Sequence, residues 1–230
     1  MSPAFIIAES GSTWRIGKRD ASHLRYAKKS IRVAKTCGAS AWKCQWVSEP
    51  SVMEQRRHVP KGTYGLLAWP KEWLHVLAAE CEEAGIEFMC TCFLPADVAT
   101  IAPFVKRFKV ASLECGDTVL LSAYKRERPR RPILVSTGCA EVRARNASPF
   151  VKWLHCVAAY PAPLNQMNLS VLRDSTAWDN YSVFDGLSDH SGDLLTGALA
   201  VACGTEIIEC HFRLPDTPKT NPDFPHSLPP

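Results

Sequence analysis

Polar residues follow the short apolar runs of the 230-residue sequence, and their chemistry would allow them to bind a single ligand together. Two lysines offer point charges for a phosphate or carboxylate, and hydroxyl groups would complete such a cradle. Two histidines could hold a divalent metal, with Glu209 or Asp223 nearby. The members of this polar series are Glu9, Lys43, Gln45, Thr91, Lys109, Ser112, Glu114, Ser136, Tyr160, Ser188, His190, His211 and Asp223. Taken singly, each has an ordinary interpretation as a structural histidine or a solvated strand-end residue, so the elements that carry them decide whether they converge.

Short apolar, β-branched runs alternate with amphipathic stretches, which predicts repeated βα units and a parallel sheet. The predicted strands are Phe5–Glu9, Ala41–Trp46, Glu87–Phe93, Phe108–Ser112, Ile133–Ser136, Trp153–Ala158, Val183–Leu187 and Glu206–His211. The predicted helices are Ala21–Cys37, Pro70–Ala84, Pro95–Val105, Val119–Tyr124, Leu169–Ala177 and Gly192–Ala202. Eight such units indicate an α/β protein folded as a (β/α)8 TIM barrel. Chemistry in such barrels lies at the carboxyl ends of the strands, where the polar series falls.

Alternation along the strands predicts which side chains point into the barrel. Lys43 and Gln45 share one face of their strand, and Cys44 lies on the other. On the last strand Glu209 and His211 oppose Cys210 in the same way. The strand cysteines are therefore expected on the outward face as small buried hydrophobes. For Cys90 and Cys92 the alternative is half of a metal site, but no second cysteine pair has zinc-like spacing.

Two stretches are too thin for a full outer helix. Only about a dozen residues, 139–149, separate the fifth and sixth strands, fewer than a crossover with its helix needs. The Pro-rich tail, residues 214–230, cannot form a helix of ordinary length. We therefore predict one domain over residues 1–230 with a reduced fifth helix and a missing or truncated eighth helix. Uncovered strand faces would favour a homo-oligomer or a partner protein.

Composition narrows the class of protein. The sequence lacks an apolar run long enough to span a membrane and a recognisable signal peptide, so no membrane partner is expected. Ten cysteines without regular spacing favour free thiols and a cytoplasmic location. The formal charge is only +4, and the basic run at residues 125–131 is interpreted as a solvated loop, with contact to nucleic acid or an anionic surface as the alternative. No nucleic-acid partner is expected.

Nine motifs in order resemble those of the phosphoenolpyruvate-dependent sialic acid synthase family. They are IIAESG, AWKCQW, IEFMCTCF, FKVASLE, ILVSTG, WLHCVAAYPAP, GLSDHS, IIECHF and NPDFPHSLPP, and together they run over essentially the whole chain. The most specific are HCVAAYPAP, GLSDH and ECHF. The resemblance implies a TIM barrel that condenses phosphoenolpyruvate with the open-chain aldehyde of an N-acylated amino sugar, giving a nonulosonic acid and phosphate.

The resemblance also implies roles for the polar series. Glu9, Lys43, Glu114 and Asp223 would be catalytic, with Glu9 steering or deprotonating the attacking water. His190 and His211 would hold Mn²⁺ or Mg²⁺. The phosphoenolpyruvate site would use Lys43, Thr91, Lys109, Ser112, Ser136 and Ser188, and the sugar side would use Glu9, Gln45, Glu114, Tyr160 and Asp223.

The chain departs from the family pattern mainly on the sugar side. An Asn-His pair after the first strand is replaced by the run that begins at Ser12, a glycine by Leu113, a proline by Cys92 and a polar residue by Ala158. No segment resembles the family's C-terminal antifreeze-like domain, which donates an arginine across a dimer. Two alternatives to an active synthase follow: a degenerate barrel that only binds a ligand or partner protein, and a truncated product whose missing domain a partner supplies.

Overall fold

Eight parallel strands form a nearly closed barrel in a computed structural model that describes residues 3–16, 20–139, 149–173 and 184–230. The strands are β1 (Phe5–Glu9), β2 (Ala41–Trp46), β3 (Glu87–Cys92), β4 (Phe108–Val110), β5 (Ile133–Ser136), β6 (Val151–Cys156), β7 (Gly186–Asp189) and β8 (Ile207–His211). Their order around the barrel is β3-β2-β1-β8-β7-β6-β5-β4, with β3 and β4 side by side at the seam. The predicted TIM barrel is confirmed.

The barrel interior has an apolar floor and a polar layer above it. The floor is formed by Ile7, Ala41, Met89, Leu134, Leu154 and Ile207. Two residues further along β1, β2, β3, β5 and β8, the inward position becomes polar, as from Ile7 to Glu9 and from Ala41 to Lys43. Because β1 pairs with β2 and β8 in register, Glu9 stands beside both Lys43 and His211. The period of two thus builds one continuous polar layer from separate strands.

The helices that cover the barrel are α1 (Asp20–Thr36), α2 (Pro50–Arg57), α3 (Trp73–Ala84), α4 (Val98–Ile101), α5 (Thr118–Arg126) and α6 (Leu194–Ala202). The side chain of Asp117 caps α5 by accepting hydrogen bonds from Val119 and Leu120, and Gly85 ends α3 in the left-handed conformation. The predicted helix Pro95–Val105 is only one α-helical turn between two 3₁₀ turns. Helix α2 was not predicted.

The strand boundaries differ most from the prediction at β6 and β7, and β4 ends at Val110, two residues before its predicted end. Strand β6 begins at Val151, two residues early, because Ile133 to Ser136 of β5 pair with Val151 to Leu154. Strand β7 is Gly186–Asp189 rather than Val183–Leu187, because its ladder pairs Gly186 to Asp189 with β8. Of the predicted helix Leu169–Ala177, the described part forms a 3₁₀ turn, Leu169–Leu172. The predicted reduced fifth helix falls on residues 140–148, outside the described residues.

The tail at residues 214–230 contains only the 3₁₀ turn Phe224–His226, so the eighth helix is absent from its expected place. It folds back over the mouth of the barrel and joins it through a parallel bridge between Phe212 and Leu228. The amide of Leu228 donates to the carbonyl of His211 at 2.8 Å. Below, the hydroxyl of Tyr26 on α1 donates to Asp216 at 2.8 Å. The tail is therefore fixed at both ends to the strand and helix layers.

The cysteines and the basic run can now be placed. All ten cysteines are free thiols, and Cys44, Cys90 and Cys92 lie in the layer between strands and helices, as predicted. Cys156 is different, because its sulfur lies 3.0 Å from the hydroxyl of Ser112 at the polar layer. The basic run is exposed at Lys125, Arg126, Arg128 and Arg130. Within the described residues, every helix is too short or too polar to cross a membrane.

Candidate active site

A cavity of about 220 Å³ opens at the carboxyl ends of the strands, and the whole polar series lines it. The thirteen residues are Glu9, Lys43, Gln45, Thr91, Lys109, Ser112, Glu114, Ser136, Tyr160, Ser188, His190, His211 and Asp223. The other lining residues are Tyr64, Phe93, Ala111, Leu113 and Glu209. The structure thus brings together every residue that the sequence singled out, while their individual roles stay predictions.

One side of the polar layer is organised around Glu9. Its carboxylate forms a buried ion pair with Lys43 and accepts a hydrogen bond from the side-chain amide of Gln45 at 2.9 Å. The backbone N–H of Gly11 donates to the same oxygen as Gln45, also at 2.9 Å. The ammonium of Lys43 donates in turn to the hydroxyl of Thr91 at 3.1 Å. This side presents a fixed carboxylate and a fixed cation to the cavity.

The other side is organised around Glu209. Oε1 of Glu209 lies 3.4 Å from Nζ of Lys109 and accepts a hydrogen bond from Ser188 at 3.1 Å. Lys109 also donates to the hydroxyl of Ser136 at 2.8 Å. Oε2 of Glu209 is 4.0 Å from Nζ of Lys43. Glu209 therefore lies between the two lysines and aligns both ammonium groups toward the cavity.

The electrostatics of this layer are shaped by burial and by the ion pairs. Burial lowers the pKa of Lys109. Burial would also lower the pKa of Lys43, but Glu209 and Glu9 outweigh it and raise that pKa. Burial would raise the pKa of Glu209, yet Lys109 and Lys43 lower it to about 2. For Glu9, burial dominates and raises the pKa despite the ion pair. Glu209 is thus held ionised, and Glu9 is the carboxylate nearer to proton exchange.

Three imidazole rings meet at the side of the cavity that the tail covers. The ring centroids of His211 and His226 are 4.5 Å apart, and those of His190 and His211 are 5.3 Å apart. The ring of Tyr160 lies 4.4 Å from that of His190. One ligand atom each from His211, Asp223 and His226 fall within 4.8 Å of one another. The donors are the kind that bind a divalent metal.

The residues fit a metal on three further observations. Within the part of the chain that the structure describes, Nδ1 of His211 and both ring nitrogens of His226 are buried without a hydrogen-bond partner. Burial lowers the pKa of His190 to about 3 and of His211 to about 4, so both imidazoles are neutral and able to coordinate. Nδ1 of His190 lies 3.2 Å from the carbonyl oxygen of Val157, an arrangement that orients the ring and fixes its tautomer.

Glu114 is held at the rim of the cavity by an arginine from α2. Its carboxylate forms an ion pair with Arg57, whose side chain is mostly buried. Among the described residues, Oε2 of Glu114 and Nε of Arg57 find no hydrogen-bond partner, although both atoms are buried. Such atoms are available to a ligand that enters the rim.

Comparison with known proteins agrees with this geometry. Residues 30–230 match the family model of the NeuB family, which is most of the chain. The chain belongs to the NeuB family.

Several known proteins are similar to this chain in sequence or in structure. The chain is 30% identical to a pseudaminic acid synthase of Campylobacter jejuni over 91% of its own length and 65% of the relative's. It is 28% identical to human N-acetylneuraminate-9-phosphate synthase over 94% of its own length and 63% of that protein's. A crystal structure of the N-acetylneuraminic acid synthetase from Leptospira borgpetersenii superposes with a TM-score of 0.75 at 28% identity, covering 92% of this chain and 74% of that one. The chain thus spans about 65% of the length of the first of these relatives.

The departures of this NeuB-family chain have visible structural consequences. Ser12, where the family pattern has Asn-His, donates its backbone N–H and its hydroxyl to Oδ2 of Asp223 at 2.7 and 2.8 Å. Leu113 is 57% exposed at the rim, so its side chain points out of the polar layer. Cys92 is buried among the outer-layer residues beside the hydroxyl of Tyr124. The departures change the rim and the tail contacts but leave the lysine and hydroxyl layer in place.

Three residues at this site were not assigned from the sequence. Glu209 was noted only as a neighbour of the histidines, although its two-residue spacing from His211 already placed it in the layer. Arg57 belongs to the helix that was not predicted. His226 follows Asp223 by three residues in a Pro-rich stretch, and only the folded tail brings it beside His211. No periodic pattern of residue types in this stretch indicates where His226 lies.

Proposed function

We propose that this chain condenses phosphoenolpyruvate with the open-chain aldehyde of an N-acylated amino sugar, giving a nonulosonic acid and phosphate. The observation that carries the proposal is the convergence of two buried lysines, four serine and threonine hydroxyls, four carboxylates and two histidines on one cavity at the carboxyl ends of the strands. Membership of the NeuB family and the names of its synthase relatives support the same class of reaction.

Phosphoenolpyruvate would lie on the lysine side of the cavity. Lys109 and Lys43 would neutralise its phosphate and carboxylate, with hydroxyls completing the cradle. The hydroxyls come from Thr91, Ser112, Ser136 and Ser188. The buried carboxylate of Glu209 keeps both ammonium groups oriented before the substrate arrives. Such preorganisation lowers the cost of binding a dianionic group.

The amino sugar would lie toward the rim, where Gln45, Glu114, Tyr160 and Asp223 offer hydrogen-bonding groups. A divalent metal held at His190 and His211, Mn²⁺ or Mg²⁺, would supply Lewis-acid polarisation of the aldehyde oxygen when bound. The chain's own residues orient the aldehyde carbon toward the enol carbon of phosphoenolpyruvate. A new carbon–carbon bond then forms between these two atoms.

The second half of the reaction needs water. Bond formation leaves a carbon with oxocarbenium character, whose charge the lysine-bound phosphate and carboxylate stabilise. The oxygen of a water molecule would bond to this carbon while Glu9 accepts one of the water's protons. That proton is then passed to the alkoxide formed from the aldehyde. The tetrahedral adduct breaks its carbon–oxygen bond to phosphate, which leaves with the second proton. The raised pKa of Glu9 supports its role in this exchange.

Phosphate release from phosphoenolpyruvate tests the proposal directly. With Mn²⁺ and a panel of N-acyl hexosamines, we expect release with at least one sugar and none without sugar. Lys109→Met should abolish it, whereas the exposed Lys125→Met should behave as wild type. Binding of phosphoenolpyruvate without turnover would favour the alternative of a ligand-binding barrel. Calorimetry that detects no phosphoenolpyruvate binding to the wild type would contradict both.

A further inference from the structure

We propose that His226 is a metal ligand in this chain, and that His211, Asp223 and His226 form a site that prefers late divalent transition metals to Mg²⁺. The inference deepens the proposed function, because the metal would occupy the same cavity. It keeps His211 from the pair His190 and His211 of the proposed function and adds two donors from the C-terminal tail beside that pair.

The first argument is the state of the ring nitrogens. His226 is 3% exposed, and neither of its ring nitrogens has a hydrogen-bond partner within the described residues. His211 is 6% exposed and leaves Nδ1 without a partner. Leaving buried polar atoms unpaired costs stability, so the unpaired nitrogens of these two adjacent rings favour a bound ligand. Each neutral imidazole offers one nitrogen lone pair, and a divalent cation is a group that accepts it.

The second argument is the orientation of Asp223. Its Oδ2 accepts two hydrogen bonds from Ser12, so that oxygen is saturated. Its Oδ1 faces His226, with 3.6 Å to Nε2, beyond hydrogen-bond distance. Carboxylates that bind a metal are commonly hydrogen-bonded through one oxygen by neighbouring groups, which leaves the other oxygen free to coordinate. Asn221 strengthens this arrangement by accepting from the backbone amide of Asp223 at 2.9 Å and by donating its side-chain amide to the carbonyl of Ser12 at 3.0 Å.

The donor set predicts which cation binds. Two imidazoles and one carboxylate favour Zn²⁺, Co²⁺ or Fe²⁺, whereas Mg²⁺ prefers oxygen ligands and retained water. Tyr160 and His190 border the open side, where a substrate oxygen could complete the coordination sphere. The tail would therefore set the metal preference of the barrel.

Co²⁺ titration of the full-length, chelator-treated protein tests this inference without any turnover. We expect a visible d–d absorption band in the wild type that Zn²⁺ abolishes at equal concentration and Mg²⁺ leaves intact. His226→Ala should weaken Co²⁺ binding by more than about tenfold. His75→Ala, at an exposed position on α3, should bind as wild type. A more conservative variant, His226→Asn, and the Co²⁺-induced rise in Tm guard against simple misfolding of the alanine variant.

Co²⁺ binding by His226→Ala and His226→Asn with wild-type affinity would overturn the inference. Equal losses in His226→Ala and His75→Ala would overturn it too, because they would indicate surface binding. Displacement by Mg²⁺ as readily as by Zn²⁺ would refute the metal preference. The outcome is separable from the proposed function: Co²⁺ binding without phosphate release contradicts only the synthase reaction, and phosphate release with unaltered Co²⁺ binding in both His226 variants contradicts only this inference.

Discussion

At the scale of single residues, the site separates two buried carboxylates by their neighbours. Glu209 lies between Lys109 and Lys43, and its pKa falls to about 2 in spite of burial. Glu9 has Lys43 alone as a cationic partner, and burial raises its pKa. Environments that shift the pKa values of two acids in opposite directions suit the two acids to different roles. This favours Glu9 for proton transfer and Glu209 for holding the lysines in place.

Gly11 lies where the site leaves no space for a side chain. It has φ of +46°, and an added Cβ would lie 2.3 Å from Oδ2 of Asp223. We expect Gly11→Ala to displace that carboxylate and weaken Co²⁺ binding by about tenfold, since Asp223 is held from that side.

Gly38→Ala is the matched control for Gly11. Gly38 also has positive φ, +87°, but an added Cβ there meets nothing within 4 Å. We expect it to cost about 1 kcal/mol of unfolding free energy through backbone strain alone, with no change in metal affinity. Urea denaturation and Co²⁺ titration measure the two effects. Equal metal affinities in the two variants would contradict the close approach to Asp223.

At the scale of elements, the tail at residues 214–230 carries two site residues, Asp223 and His226. It is fixed by the bridge of Phe212 to Leu228 and by Tyr26 to Asp216. Between these points, the guanidinium of Arg213 stacks 4.0 Å above the ring of Phe224 and donates to the carbonyl of Ser227 at 3.1 Å. Arg213 thus holds the 3₁₀ turn that positions Asp223 and His226.

Arg213→Ala should loosen this turn, so we expect metal affinity to fall several-fold and stability to fall by about 1 kcal/mol. The matched variant is Arg107→Ala, because Arg107 stacks 4.0 Å above Phe5 at the opposite end of the barrel. That variant should lose comparable or greater stability, having also lost its ion pair with Glu87, yet keep wild-type metal affinity. Metal titration and thermal unfolding distinguish them. Unchanged metal affinity in Arg213→Ala would mean that the tail keeps its position without this contact.

At the scale of the whole molecule, the barrel and its polar layer could be predicted because period-two alternation is a local property. Alternation of residue types within a strand indicates which of its side chains point inward, and parallel pairing brings these side chains to one end of the barrel. Helix α2 escaped prediction because it is polar and short, with only Met53 and Glu54 buried. Glu54 attaches the helix to the loop that follows it by accepting hydrogen bonds from the backbone amides of Gly62 and Tyr64. His226 escaped because its neighbour His211 lies across a fold of the tail, which no local pattern encodes.

The buried charges of the polar layer should make this molecule trade stability for its site. Lys43→Met leaves the buried carboxylate of Glu9 without its cation, so we expect a loss of about 3 kcal/mol near pH 7. Because burial raises the pKa of Glu9, the acid is neutral in the folded state at low pH, and the loss should shrink as pH falls toward its unfolded pKa. The double variant Glu9→Gln/Lys43→Met removes the titrating acid and should show a smaller, pH-independent loss. Urea denaturation of the wild type and the two variants between about pH 4 and about pH 8 measures this. A Lys43→Met deficit that does not grow with pH would contradict the ion pair as the source of the stability.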